Sequence, residues 1–100
     1  MTGDILIKGG IVIDGSGRAG ETGDVLVREG RIAAIGGSVP NSAAKVIDAA
    51  GLAVTPGFID IKTHSDFTLP INPKAESKVR QGVTTEIIGH CGFSVAPVLR

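Results

Sequence analysis

The sequence has no tryptophan or tyrosine, one cysteine and no excess of charge of either sign. Ten Lys and Arg residues balance ten Asp and Glu residues, so no net positive charge is present to bind nucleic-acid phosphates or an anionic membrane surface. One cysteine cannot form an internal disulfide, and residues 1–4 lack the basic start of a secretory signal. No apolar run approaches the roughly 18 residues of a membrane span. We expect a soluble, cytoplasmic protein that binds neither nucleic acid nor membrane.

The residues that are plentiful favour strands and turns. Val and Ile number 22 against five Leu, and β-branched side chains favour strands over helices. Fifteen glycines can supply tight turns. The 100 residues suffice for one modest domain, since most domains have about 100–150 residues.

The first half of the chain predicts a small antiparallel sheet. Two apolar runs within residues 4–13 lie on either side of Gly9 and Gly10, which predicts a hairpin because glycine accepts the positive φ of tight turns. The turn pair Glu29 and Gly30 predicts a second hairpin. The apolar runs typical of the other strands are residues 23–28, 31–35, 46–48 and 52–54.

The second half of the chain has a different pattern. Residues 58–61 and 83–88 are apolar-leaning runs, which are typical of buried parallel strands. The break between the two halves lies near Pro56, because Pro and Gly interrupt the strand pattern there.

A helix is predicted between the two parallel strands. Asn72 is a suitable N-cap, Pro73 fits the first helical position, and Gly82 lies where a helix-ending glycine belongs. Glu76 can pair with Arg80 one turn later. Strand, helix and strand form a βαβ unit, which needs further strands beside it.

Two polar clusters follow the predicted parallel strands. Asp60, Lys62 and His64 alternate along the end of the first strand, so their side chains are expected in one row. Cys91 follows the second strand, and the ends of adjacent parallel strands lie side by side. His64 and Cys91 could therefore meet, and imidazole with thiolate is a donor set that suits zinc.

Each of these residues also has a structural interpretation. A lone cysteine such as Cys91 is often a small inert hydrophobe, and His64 could be a hydrogen-bonding group of the scaffold. Asp66 could form a turn or a cap, and Lys62 could be a solvated charge. The residues alone leave the metal site and the structural interpretation equally open.

Longer stretches resemble a known family. Residues 46–60, VIDAAGLAVTPGFID, resemble the segment that precedes a His-x-His pair in the amidohydrolase superfamily, and residues 30–36 resemble its small β domain. Three more segments are similar to the D-aminoacylase, or N-acyl-D-amino-acid deacylase, branch of that superfamily: residues 64–67, 73–85 and 89–97.

The resemblance implies a mixed β and α/β fold. Residues 1–56 would be the N-terminal portion of a small β-sandwich, and residues 57–100 the first βαβ of an incomplete (β/α)8 TIM-like barrel. A complete barrel needs about 250 residues. The resemblance therefore implies an N-terminal fragment, or a truncated gene product, of a longer hydrolase.

The resemblance also implies a zinc cofactor, with His64 and Cys91 as metal ligands. The other ligands and a proton-shuttling Asp are expected downstream, so no catalytic residue is expected within the chain. The implied reaction is hydrolysis of the linear amide of N-acyl-D-amino acids, which are small-molecule substrates, by zinc-activated water. His90 stands where relatives often have Asn, and neither His90 nor Asp66 receives a definite role.

One residue departs from the family pattern. Lys62 stands at the first position of the His-x-His pair, and an ammonium group has no lone pair with which to bind a metal. In the D-aminoacylase branch the two histidines serve mainly a weaker second site. Lys62 either substitutes for the cation of that second site or is a sequence variant that damages it.

A competing prediction is a non-catalytic β-sandwich fragment that acts as a structural or interaction module. Parallel strands without neighbours would leave apolar faces exposed to water, and such faces favour self-association. The isolated 100-residue chain is expected to be inactive in either case.

Overall fold

The structure is a computed structural model that describes residues 3–40, 45–92 and 94–95. The chain divides into two compact units, Met1–Pro56 and Gly57–Arg100. No helix in the described residues is long and apolar enough to cross a membrane.

The first unit contains one mixed β-sheet. Its spatial order is β3-β2-β1-β4, and β5 also pairs with β1. β2 is antiparallel to β1 and to β3, whereas β4 and β5 are both parallel to β1. The predicted antiparallel sheet is therefore wrong for its last two strands. The strands are β1 (Ile5–Val12), β2 (Glu21–Arg28), β3 (Arg31–Gly36), β4 (Lys45–Asp48) and β5 (Ala53–Val54).

The hairpin predicted at Gly9 and Gly10 is absent, because both apolar runs belong to the single strand β1. The pairing of β1 with β2 shifts between Ile7 and Gly10, and Gly9 has a φ of 70°. This geometry is a β-bulge, in which the glycine supplies a positive φ without reversing the chain. The backbone N–H of Gly9 donates to Asp24 Oδ1 at 2.9 Å, which holds the bulge in place.

The hairpin predicted at Glu29 and Gly30 is confirmed. β2 and β3 are antiparallel, and the two turn residues have φ values of 50° and 74°. Two successive positive φ angles are the pattern of a type I′ turn, which matches the twist of antiparallel strands.

The core of the first unit lies along β1 and β2. Leu6 is only 1% exposed, and the adjacent β2 residues Val25 and Leu26 are both buried, so β2 is covered on both faces here. Asp24 is buried as well, and its carboxylate accepts the N–H groups of Val39, at 3.1 Å, and Gly9. These two hydrogen bonds lower the pKa of Asp24, because they stabilise the charged form.

The second unit has the predicted order of strand, helix and strand. β6 (Phe58–Asp60) and β7 (Val83–Glu86) are parallel neighbours, and the short α1 (Glu76–Val79) lies between them in sequence. Phe58 and Ile59 are 58% and 60% exposed, so the prediction of buried strands is wrong. Their exposure follows from a sheet that has only two strands among the described residues.

The helix is shorter than predicted, and Asn72 is not its N-cap. The N-cap is Ala75, whose φ of 46° is left-handed and cannot continue a helix towards Asn72. The predicted ion pair between Glu76 and Arg80 is present at 3.9 Å and exposed. Gly82 has the positive φ expected of a helix-ending glycine, two residues after the C-cap Arg80.

Candidate functional site

The ends of β6 and β7 lie side by side at one edge of their sheet. Asp60 pairs with Glu86 in the strand register, and the N–H of Ile87 donates to the Asp60 carbonyl at 2.9 Å. The segment that carries His64 and the loop that carries Cys91 therefore leave the sheet at the same edge.

The predicted row of Asp60, Lys62 and His64 does not form. β6 ends at Asp60, and the carboxylate Oδ1 of Asp60 accepts the backbone N–H of Lys62 at 3.1 Å. This hydrogen bond closes an Asx turn, which ends the alternation of an extended strand. Lys62 and His64 lie beyond the turn and are both exposed.

Asp60 instead belongs to a network of polar side chains at the ends of the two strands, which we call the Lys78 cluster. Its members are Asp60, Thr63, Ser65, Lys78 and Glu86. The ammonium of Lys78 lies 2.6 Å from Asp60 Oδ2 and 3.4 Å from Glu86 Oε1, and it donates to Thr63 Oγ1 at 3.2 Å.

Two buried hydroxyls complete the Lys78 cluster. Ser65 Oγ donates to Glu86 Oε1 at 3.1 Å and lies 2.8 Å from Thr63 Oγ1. Thr63 and Ser65 are each 7% exposed, and they flank His64 on both sides. The network therefore fixes the backbone immediately before and after His64.

The electrostatics of the Lys78 cluster favour the charged forms. The hydrogen bond to Asp60 raises the pKa of Lys78, and the attraction of Glu86 adds to this effect. The same hydrogen bond from Lys78, together with the N–H of Lys62, lowers the pKa of Asp60. The ion pair is consequently present at neutral pH.

Cys91 is exposed, which contradicts the interpretation of a buried inert thiol. Its φ is 60°, and the neighbouring Gly89 and Gly92 also have positive φ angles. A non-glycine residue in this region is uncommon, and such residues concentrate at functional sites. The loop therefore presents the thiol in a conformation that ordinary loops avoid.

His90 and Asp66 make contacts within the scaffold. His90 Nε2 donates to the carbonyl of Ile87 at 2.7 Å. Asp66 is 4% exposed, and its Oδ2 accepts the N–H of Val95 at 3.4 Å. Asp66 lies in a turn, which is one of the two structural interpretations that the sequence offered, and no described residue forms a hydrogen bond with its Oδ1.

The side chains near the ends of β6 and β7 include some, but not all, of the ligands that a zinc site needs. His64 and Cys91 offer an imidazole and a thiol, which are zinc ligands in proteins. In the described part of the chain, no group of three or more His, Cys, Asp or Glu side chains could hold a metal ion. The described residues alone therefore do not supply a complete ligand set.

Sequence reasoning missed Lys78, Thr63, Ser65 and Glu86. The available signal was Glu86, a charged residue within the apolar run of a predicted strand. Such a side chain requires a cation or hydrogen-bond donors when it is partly buried, and the sequence does not show which of the lysines supplies it.

Comparison with known proteins shows strong similarity to one group of enzymes. The chain is 47% identical over 97 residues to N-acyl-D-aspartate deacylase of Alcaligenes xylosoxydans xylosoxydans, which covers 97% of this chain and 20% of that protein. No protein-family model matches the chain.

Two solved structures are similar in fold as well as sequence. A D-aminoacylase studied for one-metal activation and second-metal attenuation of its binuclear metal centre has a TM-score of 0.88 at 47% identity, covering 94% of this chain and 20% of that chain. N-acyl-D-glutamate deacylase of Bordetella bronchiseptica, solved with zinc and a phosphonate inhibitor, has a TM-score of 0.86 at 44% identity, covering 97% and 20%. The resemblance predicted from the sequence is confirmed, and the chain spans about a fifth of the length of these relatives.

Proposed function

We propose that this chain, which is homologous to the N-terminal fifth of the D-aminoacylases, is the N-terminal part of a metal-dependent hydrolase of N-acyl-D-amino acids. The observation that carries the proposal is 47% identity over 97 residues to an N-acyl-D-aspartate deacylase. In this proposal the sheet of residues 1–56 belongs to a β-sandwich, and β6, α1 and β7 begin a (β/α)8 barrel. The parallel pairing of β6 and β7 supports the barrel assignment.

His64 and Cys91 are the residues that would hold zinc. When bound, zinc would polarise the acyl carbonyl of the substrate and activate water for attack on it. Thiolate binding requires a reduced cysteine, which supports the proposed cytoplasmic location. The other ligands and the proton-shuttling Asp are expected in the region of the relatives that this chain does not cover.

A chimera tests the proposed function. This chain would replace the matching N-terminal fifth of the Alcaligenes D-aminoacylase, with which it shares 46% identity over 95 residues. We expect the chimera to hydrolyse N-acetyl-D-amino acids in the presence of zinc. A folded but inactive chimera would contradict the proposal.

The isolated chain provides the complementary assay. We expect the 100 residues alone, supplied with zinc, to show no turnover of N-acetyl-D-amino acids, because two ligands do not complete a zinc site. Robust turnover that Cys91→Ala abolishes would refute the view that the chain is only part of the catalytic unit.

The second candidate function is a non-catalytic structural or interaction module. The exposed side chains of Phe58 and Ile59 favour it, because large apolar patches on isolated domains promote association. Sedimentation of the isolated chain would reveal self-association. An inactive chimera together with a stable dimer of the isolated chain would favour this candidate over the hydrolase.

The departure at Lys62 leads to a specific proposal about metal number. Lys62 is exposed after the Asx turn, and its side chain makes no ion pair with the described residues. Its ammonium is therefore available to substitute for the cation of a second metal site. The D-aminoacylase with the binuclear centre is activated by one metal and attenuated by the second, which supports function with a single ion.

We expect the chimera to bind one zinc ion tightly, and Lys62→His to restore a second. The physical reason is that imidazole offers a lone pair where the ammonium offers only hydrogen-bond donors. Elemental analysis after dialysis measures the zinc content of both proteins. The control is Lys74→His, because Lys74 is an exposed lysine of the same unit. This substitution should leave the zinc content unchanged. Two tightly bound zinc ions in the chimera with Lys62 intact would overturn the proposal.

A further inference from the structure

The segment that follows β6 and the segment that follows β7 are connected by hydrogen bonds before and after Cys91. Before Cys91, the N–H of Ile87 donates to the Asp60 carbonyl at 2.9 Å. After it, the N–H of Val95 donates to the buried carboxylate of Asp66 at 3.4 Å. The loop that carries the thiol is thus attached at both ends to the segment that carries His64.

Lys78 lies where these segments meet. An ammonium group has three N–H donors, and Lys78 has three acceptors within reach: Asp60 at the end of β6, Thr63 beside His64, and Glu86 at the end of β7. The Lys78 side chain is 29% exposed, so water competes less for these donors than at an open surface. One side chain therefore connects both strand ends and the segment that carries His64.

The other ion pair of the same short helix has a different character. Arg80 and Glu76 lie 3.9 Å apart, and their side chains are 81% and 53% exposed. They are neighbours on a single helical turn and connect no other segment. Such an exposed pair contributes little to the stability of the fold. Lys78, in contrast, bonds to Thr63 and Asp60, which precede it in the sequence by 15 and 18 positions.

We propose that Lys78 is a positioning residue, which fixes the segment carrying His64 relative to the loop carrying Cys91. The inference deepens the proposed function, on which it rests, because it explains how two donors from separate loops are held before a metal arrives. Groups that hydrogen-bond directly to a metal ligand typically change metal affinity by about 10–100-fold when they are replaced. Lys78 contacts Asp60 and Thr63 and so acts on the backbone beside His64, one step further from the metal, which places the expected change at the lower end of that range.

Two measurements test the role of Lys78. The first is titration of the chimera with Co²⁺ alone, monitored by the charge-transfer absorption of a cobalt–thiolate bond. We expect Lys78→Met to weaken Co²⁺ binding by about tenfold and Lys78→Arg to restore most of it. Arg80→Met, on the same helix, should change it by less than twofold.

The second measurement is amide hydrogen exchange, which separates positioning from general stability. The N–H of Ile87 bonds to Asp60 beside Lys78, and the N–H of Phe58 bonds to Gly82 at the opposite end of the same strand pair. If Lys78 positions the two segments, Lys78→Met should increase the hydrogen-exchange rate of the Ile87 amide about tenfold relative to that of the Phe58 amide. Equal acceleration of both amides would overturn the inference, because it would indicate only a general loss of stability.

A milder variant covers the case in which Lys78→Met does not fold. Thr63→Val keeps the side-chain shape and removes one acceptor of Lys78. It should therefore also raise the ratio of the exchange rate at Ile87 to that at Phe58. If the chimera with Lys78 intact gives no cobalt–thiolate band, the metal site of the proposed function fails, and the ratio of the exchange rates at Ile87 and Phe58 alone decides the role of Lys78. Tight Co²⁺ binding that is unchanged in both variants would refute that role.

Discussion

Replacing Cys91 by Ser is expected to lower the zinc affinity of the chimera at least about a hundredfold. Complete four-ligand zinc sites contribute roughly 10–16 kcal/mol, so one ligand accounts for about 3 kcal/mol, which corresponds to a factor of about 100 in affinity. Ser offers a harder and far less acidic donor than the thiol. Competition with a chromophoric chelator measures the affinity, and hydrolysis of N-acetyl-D-amino acids should fall with the metal content.

The neighbouring histidine provides the matched control for Cys91. His90→Asn changes the adjacent residue of the same loop, and His90 Nε2 contacts the carbonyl of Ile87. We expect His90→Asn to keep zinc affinity within about a factor of three, since no ligand is lost. Circular dichroism should be unchanged in Cys91→Ser because Cys91 is exposed. Unaltered zinc affinity in Cys91→Ser would show that the thiol is not a ligand.

The two glycine turn signals of the first unit show what local sequence could and could not predict. At Glu29 and Gly30 the flanking runs pair with each other, and the predicted hairpin forms. At Gly9 and Gly10 the flanking runs both pair with β2, so the same signal produces a bulge. The bulge depends on this pairing with β2 and on the hydrogen bond from Gly9 to Asp24, fifteen residues away, and no local pattern contains either of them.

The site shows the same division between local and distant information. The order of elements was sufficient to predict that His64 and Cys91 follow adjacent parallel strands. The strand periodicity failed at Asp60, because a side-chain hydrogen bond to the Lys62 amide ends the strand. Lys78 was not predicted, since a lysine on a short helix usually has its charge in solvent, and its partner Asp60 lies eighteen residues earlier.

Replacing Leu6 by Ala is expected to remove much of the stability of the first unit. Leu6 is 1% exposed on the central strand of the sheet, and Leu→Ala at fully buried sites costs about 3–5 kcal/mol, through lost transfer free energy and the cavity that remains. Whole domains are stable by only about 5–15 kcal/mol. Urea unfolding of the 100-residue chain should show a large shift of the midpoint.

Leu52→Ala is the matched control for Leu6, because Leu52 lies in the same unit but is 60% exposed. Its replacement should cost less than about 0.5 kcal/mol, as is usual for surface positions. Comparable losses of unfolding free energy in Leu6→Ala and Leu52→Ala would mean that Leu6 is not the centre of the core. A large loss at Leu6 alone would show that the sheet of residues 1–56 has a core of its own in this chain, with Leu6 at its centre.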